Sequence, residues 1–365
     1  MTQRTELGAP ERAGGRPMSF SVDGWDPSYG ASLELDGQLT ESTARVEVDV
    51  ELPADRWRAI DPDVTGLLPD AMLFVDGVRR IEARVWIEGA PLDGASSVDP
   101  LTGEIADARF PGASTGEPTA ALCASYAAGL ICCCAIGAHL VKAEPRHGLF
   151  SVAPHASDIV TWAGDYKAHR VTRRKTGIPV MKILSDSLQD ELSKVEVIAA
   201  VEGRTALADH AGVGTHDLLI VDGQLRGREH LPRALGYIKS HEATYLPPEL
   251  NVLVGALAPG QRTPAFLIGT KWERHSWYLR LPGADHSPWA GVVRIECAAD
   301  LPLPEVTRLA DLSQRSLGKF ASAAYKDSRA PQNLYPIAGL ERELRHRLGN
   351  PQILYRALRE AADAN

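Results

Sequence analysis

Two segments of the chain end alike: Leu73-Phe74-Val75 runs into Asp76-Gly77, and Leu219-Ile220-Val221 runs into Asp222-Gly223. Each puts a carboxylate at the carboxyl end of an apolar run that reads as a central strand. A glycine follows that lets the backbone turn sharply. Carboxylate oxygens are hard ligands that suit Mg²⁺ or Mn²⁺, and ligands gather at such strand ends. Cations crowd the same places. Arg79 and Arg80 follow the first aspartate, Arg226, Arg228 and Arg233 follow the second, and Lys239 comes next. Acidic strand ends rimmed with arginine fit a site that holds a divalent ion against a phosphodiester. Two plainer readings stand beside this one. Asp-Gly is the strongest short hairpin signal, and Asp23-Gly24, Asp36-Gly37 and Asp93-Gly94 read as turns only. The arginine rim alone is also compatible with a surface ion-pair network.

A third carboxylate would come from the segment 185–207. Apolar residues fall at 188, 192, 195, 198/199 and 201, and Ser185 or Asp186 is available as N-cap, so the spacing predicts an amphipathic helix. Glu191 and Glu196 lie on it and Glu202 sits at its end; spacing alone does not choose among them. To hold the first aspartate, 71–75 reads as a strand, Asp76-Gly77 as a tight turn or bulge, and the alternating residues after it as a second strand. Residues 216–225 read as a buried strand, and 234–241 as a helix. Further strands follow in 264–274, 276–282 and 290–298, then a helix near 304–323 and a closing helix pair. Residues 19–60 alternate, with Asp-Gly turns, as antiparallel β structure does. Strands first, then helices alternating with strands, predict a mixed α/β sheet domain. The expected division is a disordered tail over 1–17, an N-terminal β region over 18–65 and one α/β domain with C-terminal helices over 66–365.

Composition limits the partners. The 365 residues carry 39 Lys and Arg against 47 Asp and Glu, a net charge of −8, which excludes general cationic adhesion to nucleic acid or anionic membrane. Any DNA must therefore meet a local basic patch. The stretch 170–175, with Arg173 and Arg174, follows Trp162 and Tyr166 and suits a strand-contacting loop, because cations track phosphates while aromatics stack on bases; a solvated loop is the alternative. The apolar stretch 120–141 is rich in Ala, Gly and Cys and lacks polybasic flanks, so it reads as a buried strand and a turn, not a membrane span. The polar opening of the chain has no apolar h-region, and no signal peptide is expected. Five cysteines, three of them the run Cys132-Cys133-Cys134, form no disulfide framework, since neighbours on a strand point to opposite faces. Free thiols imply a reducing compartment, hence a cytoplasmic location. Without a Cys-x-x-Cys pair, and with no His-x-x-x-His spacing among His139, His147, His155 and His169, no zinc site is expected. The chain lacks both a phosphate-binding Gly-x-x-x-x-Gly-Lys-Ser/Thr loop and a Gly-x-Ser-x-Gly elbow, so any ATP would be hydrolysed by a partner.

The order LFVDGVRRIEARVWIE, a glutamate-bearing helix, LLIVDGQL, LGYIKSH, WYLRLP, GVVRIE and finally NLYPIAGLERELRH resembles the NurA family of DNA-end-processing nucleases over about residues 70–350. The resemblance implies an RNase H-like mixed sheet flanked by helices, here with an extra N-terminal antiparallel β region. It also implies two strand-end aspartates and a helical glutamate that coordinate Mn²⁺ or Mg²⁺, and a hexameric ATPase of the HerA type as partner. Asp76 matches the first acidic motif and Asp222 the second. Glu196 matches the helical acid best, with Glu191 as runner-up, and Lys239 matches a lysine after the second motif. Beyond Tyr335-Pro336, where the family carries a His or Asp, this chain has Glu341, which retains oxygen ligation but cannot act as an imidazole. On this reading Arg79, Arg80, Arg173, Arg174 and Arg226 contact DNA, and the protein is a homodimeric, metal-dependent nuclease of single strands and DNA ends, in repair or in defence against invading DNA. The rival readings are a two-carboxylate hydrolase such as a glycosidase, which needs a groove of exposed aromatics, and an adaptor that docks on a ring ATPase without cleaving.

Overall fold

Apolar runs with a period of two build most of this molecule. In the computed structural model, described over residues 40–364 except 43, 64, 88–118, 173–176, 211–212, 242, 270–271 and 284–287, the elements run as follows. Strands β1 (Thr40–Glu41), β2 (Arg45–Glu47), β3 (Ala71–Ile87), β4 (Thr119–Cys134), β5 (Gly137–Ser151) and β6 (Lys167–Arg170) precede helix α1 (Val180–Ala206). Strands β7 (Asp217–Asp222), β8 (Ala234–Ile238) and β9 (Ala243–Thr244) lead into α2 (Pro248–Ala256). After β10 (Phe266–Gly269), β11 (Glu273–Arg280) and β12 (Val292–Ala298) come α3 (Leu303–Leu317), α4 (Tyr335–Arg347) and α5 (Pro351–Asp363). The main sheet has the order β2-β10-β11-β12-β8-β7-β3-β4-β5-β6. Its centre is parallel, with β3, β7 and β8 side by side, and antiparallel strands extend it in both directions. The chain is thus a mixed α/β protein with one large sheet flanked by helices.

Two helical layers read alternate residues of the central strands, because successive side chains leave a strand on opposite faces. Leu73 and Val75 of β3 and Leu219 and Val221 of β7 pack beneath Leu188, Leu192 and Val195 of α1. Met72 and Phe74, with Leu218 and Ile220, face the other way, onto Val306 and Leu309 of α3 and Ile337 of α4. Further along β3, Val78 meets Leu340 and Leu344 of α4. By this alternation Asp76 and Asp222 belong to the α3/α4 face, and Gly77 to the α1 face.

Several expectations are corrected. No turn interrupts β3 at Asp76-Gly77: the ladder to β4 continues through Asp76 opposite Gly129 and Gly77 opposite Ala128, and its irregularity lies between Ile81 and Ala83. Residues 234–241 do not form a helix. Their run is too short to show a 3.6-residue period, and β8 is a fully buried strand hydrogen-bonded to β7 and β12, where an unbroken apolar run is what burial on both faces requires. Helix α1 starts earlier than expected, after Pro179 rather than at Ser185 or Asp186, and Val201 on it is exposed. Helix α2 was not foreseen, because its residues show no clear polar face. The described part of 18–65 supplies β1, which pairs with β9, and β2, which joins β10 at the end of the main sheet. The tail 1–17 lies outside the described residues. The stretch 120–141 is strand β4, its turn and the start of β5, and among the described residues no helix is long and apolar enough to cross a membrane. All five cysteines are free thiols.

Candidate metal centre

In the parallel pair of β3 and β7, Val75 lies opposite Val221, so Asp76 and Asp222 are the next residues on neighbouring strands and share a face. The β7 strand stops there. Gly223 turns the chain away with φ of 93°, a conformation glycine adopts without strain, and this is the sharp turn expected at the second aspartate. Helix α4 completes the group from above. Leu340 and Leu344 anchor it on Val78 and Ala127, and this seats Glu341 over the two aspartates. One carboxylate oxygen from each of Asp76, Asp222 and Glu341 lies within 4.8 Å of the others.

Cations hold part of this group. Lys239, just past β8, donates to Asp222 Oδ2 at 2.7 Å and to Asn333 Oδ1 at 3.2 Å, and its ammonium is 3.9 Å from Glu341 Oε1. Arg329 clasps Glu341 with both arms, at 3.1 and 2.7 Å. A carboxylate oxygen has two lone-pair directions, so this clasp leaves Glu341 able to ligate. Asp76 Oδ1 accepts from the Gly77 amide at 2.7 Å. In contrast, Asp76 Oδ2 and Asp222 Oδ1 are buried with no hydrogen-bond partner. Buried polar atoms are almost always paired, and an anionic oxygen without a partner is costly. A divalent ion with oxygen preference satisfies both, so the residues present fit one.

The electrostatics agree. Burial pushes the Asp76 carboxyl well above the usual carboxylate range, and Asp222, Glu341 and Glu196 add to it against the opposing pull of Lys239. Burial alone would lower Lys239, but Asp222, Asp76 and Glu341 outweigh it and hold the ammonium above its ordinary value. Burial also raises Glu196, against the pull of its ion pair with Arg228. That pair is itself buried, and Arg228 is fixed in turn by donating to the Gln224 carbonyl at 3.0 Å.

Glu196 and Glu191 part company in the structure. Glu191 pairs with Lys194 on the surface of α1, whereas Glu196 is buried against the sheet, on the face opposite to Asp76. It reaches the sheet at Gly77, where a Cβ would stand 2.6 Å from Glu196 Oε1 and 2.7 Å from Leu192 Cδ1. The glycine of the first motif therefore serves close helix approach, not a turn. Gly77→Ala is expected to destabilise the fold by roughly 1–3 kcal/mol through overpacking, and to displace Glu196. Thermal unfolding against Val78→Ala, a cavity variant on the other face, checks the first part. A Gly77→Ala protein as stable as wild type would show that α1 has room to give.

The remaining candidates divide. Arg79 is exposed and donates to Ser185 at 3.1 Å, and Arg226 is exposed on the turn after β7. Arg80 instead binds Glu82 and the carbonyls of Leu348 and Gly349, holding the joint between α4 and α5. Arg173 and Arg174 lie outside the described residues. Sequence reasoning missed Arg329 and Asn333, which arrive from the loop 321–334 with no motif to mark them. It also missed Arg345, which lies one turn beyond Glu341 on the same helix face, 3.9 Å from its carboxylate; that i, i+4 spacing was visible in the sequence. Beside the centre, Gly223, Gln224, Ser240 and Arg294 line a cavity of about 270 Å³.

Neither protein-family models nor curated proteins match the sequence. Among solved structures, the fold is similar to the NurA nuclease from Sulfolobus solfataricus, at 8% identity and a TM-score of 0.38 over 79% of this chain and 81% of that chain. A likeness at that level assigns no residue a role, and the carboxylate cluster stands on its own geometry.

Proposed function

We propose that the protein is a divalent-metal-dependent nuclease whose metal is held by Asp76, Asp222 and Glu341, with Lys239 as their shared counter-ion. Glu196, expected as the helical ligand, instead pairs with Arg228 on the other face of the sheet and is not one of the ligands. The observation that carries this reading is the trio of carboxylates within 4.8 Å, two of whose buried oxygens have no partner. Mn²⁺ or Mg²⁺ bound there would activate a water and offset charge on the leaving oxygen of a phosphodiester. Asp76 must give up its proton for the ion to bind, so binding weakens as pH falls. Lys239 orients Asp222 through its hydrogen bond, and Arg329 fixes Glu341. Exposed Arg226, on the turn after Asp222, and Arg345, beside Glu341, are placed to meet phosphates, whereas Arg79 is held on the α1 side of the sheet. The loop 321–334 also presents Tyr325, 83% exposed with Lys326 over its ring, a surface on which a base can stack.

The finer reading adds an RNase H-like core. It is supported by three successive antiparallel strands, a helix, and then two parallel strands on the far side of the first. A HerA-type ring ATPase as partner, and a homodimer to sit on it, follow from the sequence resemblance together with the missing ATP-binding loop. Light scattering of the chain, alone and with such an ATPase, tests them. A glycosidase is less well supported, because its two carboxyls need only each other and a sugar, whereas here a third carboxylate and two cations converge on the same point.

The test is cleavage of labelled single- and double-stranded DNA by the purified chain with Mn²⁺ or Mg²⁺, and with chelator. Cleavage that depends on the ion, and that survives Glu191→Gln, is the expected result. Absence of ion-dependent cleavage on every substrate, with the protein folded, would overturn the reading.

A further inference from the structure

At the far end of α1 from its entry, the fold gathers a second set of ligand-type side chains that the carboxylate centre does not use. Cys132 and Cys134 are two apart on β4 and so share a face; Cys133 between them faces the other way, toward the α3/α4 layer. His210 follows the C-terminal end of α1, and its Nε2 lies 3.3 Å from Cys134 Sγ. Ligand atoms of Cys132, Cys134 and His210 all lie within 4.8 Å of one another. On β5, His139 is the register partner of Cys132, and its ring meets that of His210 edge to face at 5.6 Å.

We propose that Cys132, Cys134 and His210 form a zinc site, its fourth position open to a water or, after rotation of its side chain, to the neighbouring His139. The dimensions support this. Tetrahedral zinc, with bonds of about 2.3 Å to sulfur and about 2.0 Å to nitrogen, sets sulfur–nitrogen edges of roughly 3.5 Å. The 3.3 Å separation here needs almost no adjustment. The chemistry supports it as well. Thiolate and imidazole are the ligands zinc prefers over the hard ions suited to Asp76 and Asp222. Two thiolates cancel the double charge of the ion, so the filled site carries no net charge into a partly buried place. Binding breaks two S–H bonds, forms two Zn–S bonds and releases two protons to solvent. Burial holds the Cys132 thiol up at about 12 in the absence of an ion, so coordination must supply the drive to deprotonate it. A disulfide is the other use of two neighbouring thiols. Residues two apart on a strand, however, have Cα atoms roughly 6.6 Å apart, at the upper limit of disulfide geometry.

Placed there, the ion ties the β4–β5 turn to the end of α1, the helix that carries Glu196. The site is structural in kind and does not depend on the nuclease reading. The sequence concealed it, because Cys-x-Cys is not a familiar zinc spacing and the histidines come from elsewhere in the chain.

The experiment is metal analysis of the purified full-length protein, with Co²⁺ substitution as a second readout. A sulfur-to-cobalt charge-transfer band requires thiolate ligation and is silent for the carboxylate centre. Expected are stoichiometric zinc and this band in wild type and in Cys133→Ser, with loss of both in Cys134→Ser and His210→Ala. A lowered melting temperature on zinc removal is also expected. Wild-type protein without zinc and without the cobalt band would overturn the proposal, whatever the variants do. So would retention of both in Cys134→Ser and His210→Ala, or an intact mass lower by two hydrogens, the mark of a disulfide.

Discussion

Asp76→Asn and Asp222→Asn are each expected to lower DNA cleavage by about a hundred- to a thousandfold, the scale on which removal of a preorganised charge-stabilising group acts. Asparagine keeps the volume and loses the anionic oxygen. The two variants should differ in stability. Asp222 is paired with Lys239, so its loss leaves that ammonium with fewer partners. Asp76 has no such partner, and its carboxyl is held well above its ordinary value of 3.8 by burial and by three neighbouring acids. A carboxyl raised on folding favours the folded state below its unfolded value and loses that contribution as pH rises through the folded one. Metal-free wild type should therefore lose stability as pH climbs from about 4, while Asp76→Asn lacks this loss and becomes the more stable protein at neutral pH. Adding Mn²⁺ should reverse the order, because binding to the folded state contributes about 2.7 kcal/mol at a hundredfold excess over Kd and the Asp76→Asn variant forfeits it. Melting curves across pH, with and without Mn²⁺, check the sign of each step. An Asp76→Asn protein that still cleaves, or that melts below metal-free wild type at neutral pH, would remove Asp76 from the centre.

Arg228→Ala carries the largest expected loss of stability. It strands the buried carboxylate of Glu196, only 6% exposed, with no counter-ion. Removing one partner of a buried ion pair typically costs about 3–5 kcal/mol. The loss should be greatest at high pH. Without Arg228 the glutamate's folded value rises further above its ordinary 4.5, so acidification protonates it and restores part of the stability. Adding Glu196→Gln to Arg228→Ala should recover much of the loss, since the stranded charge is gone. Equilibrium denaturation of the two single variants and the double variant measures the coupling. Additive effects in this cycle would mean that the pair does not act as a unit.

These two predictions mark different limits of sequence reading. Asp76 and Asp222 were legible because a buried parallel strand is an unbroken apolar run, and a carboxylate that closes such a run stands out. Glu341 was found through the residues around Tyr335-Pro336, yet its place over the aspartates depends on α4 docking by Leu340 and Leu344, contacts far apart in the chain. Arg228 was noted only as part of an arginine rim, and Arg329 and Asn333 not at all. Counter-ions are chosen by proximity in space, and spacing along the chain does not encode it.

The sequence by itself determined the broad layout: a mixed α/β sheet, an amphipathic helix between two apolar strands, and a carboxylate at the end of each strand. Local periodicity suffices for that, because a period of two or of 3.6 is written into consecutive residues. It misread Gly77 as a turn and 234–241 as a helix, since both answers depend on which strands lie alongside. Only the tertiary structure decided that Gly77 admits α1, that Glu196 takes Arg228 as its partner, and that Cys132 and Cys134 meet His210. Register between strands and docking of helices bring these groups together, and burial then sets their charges.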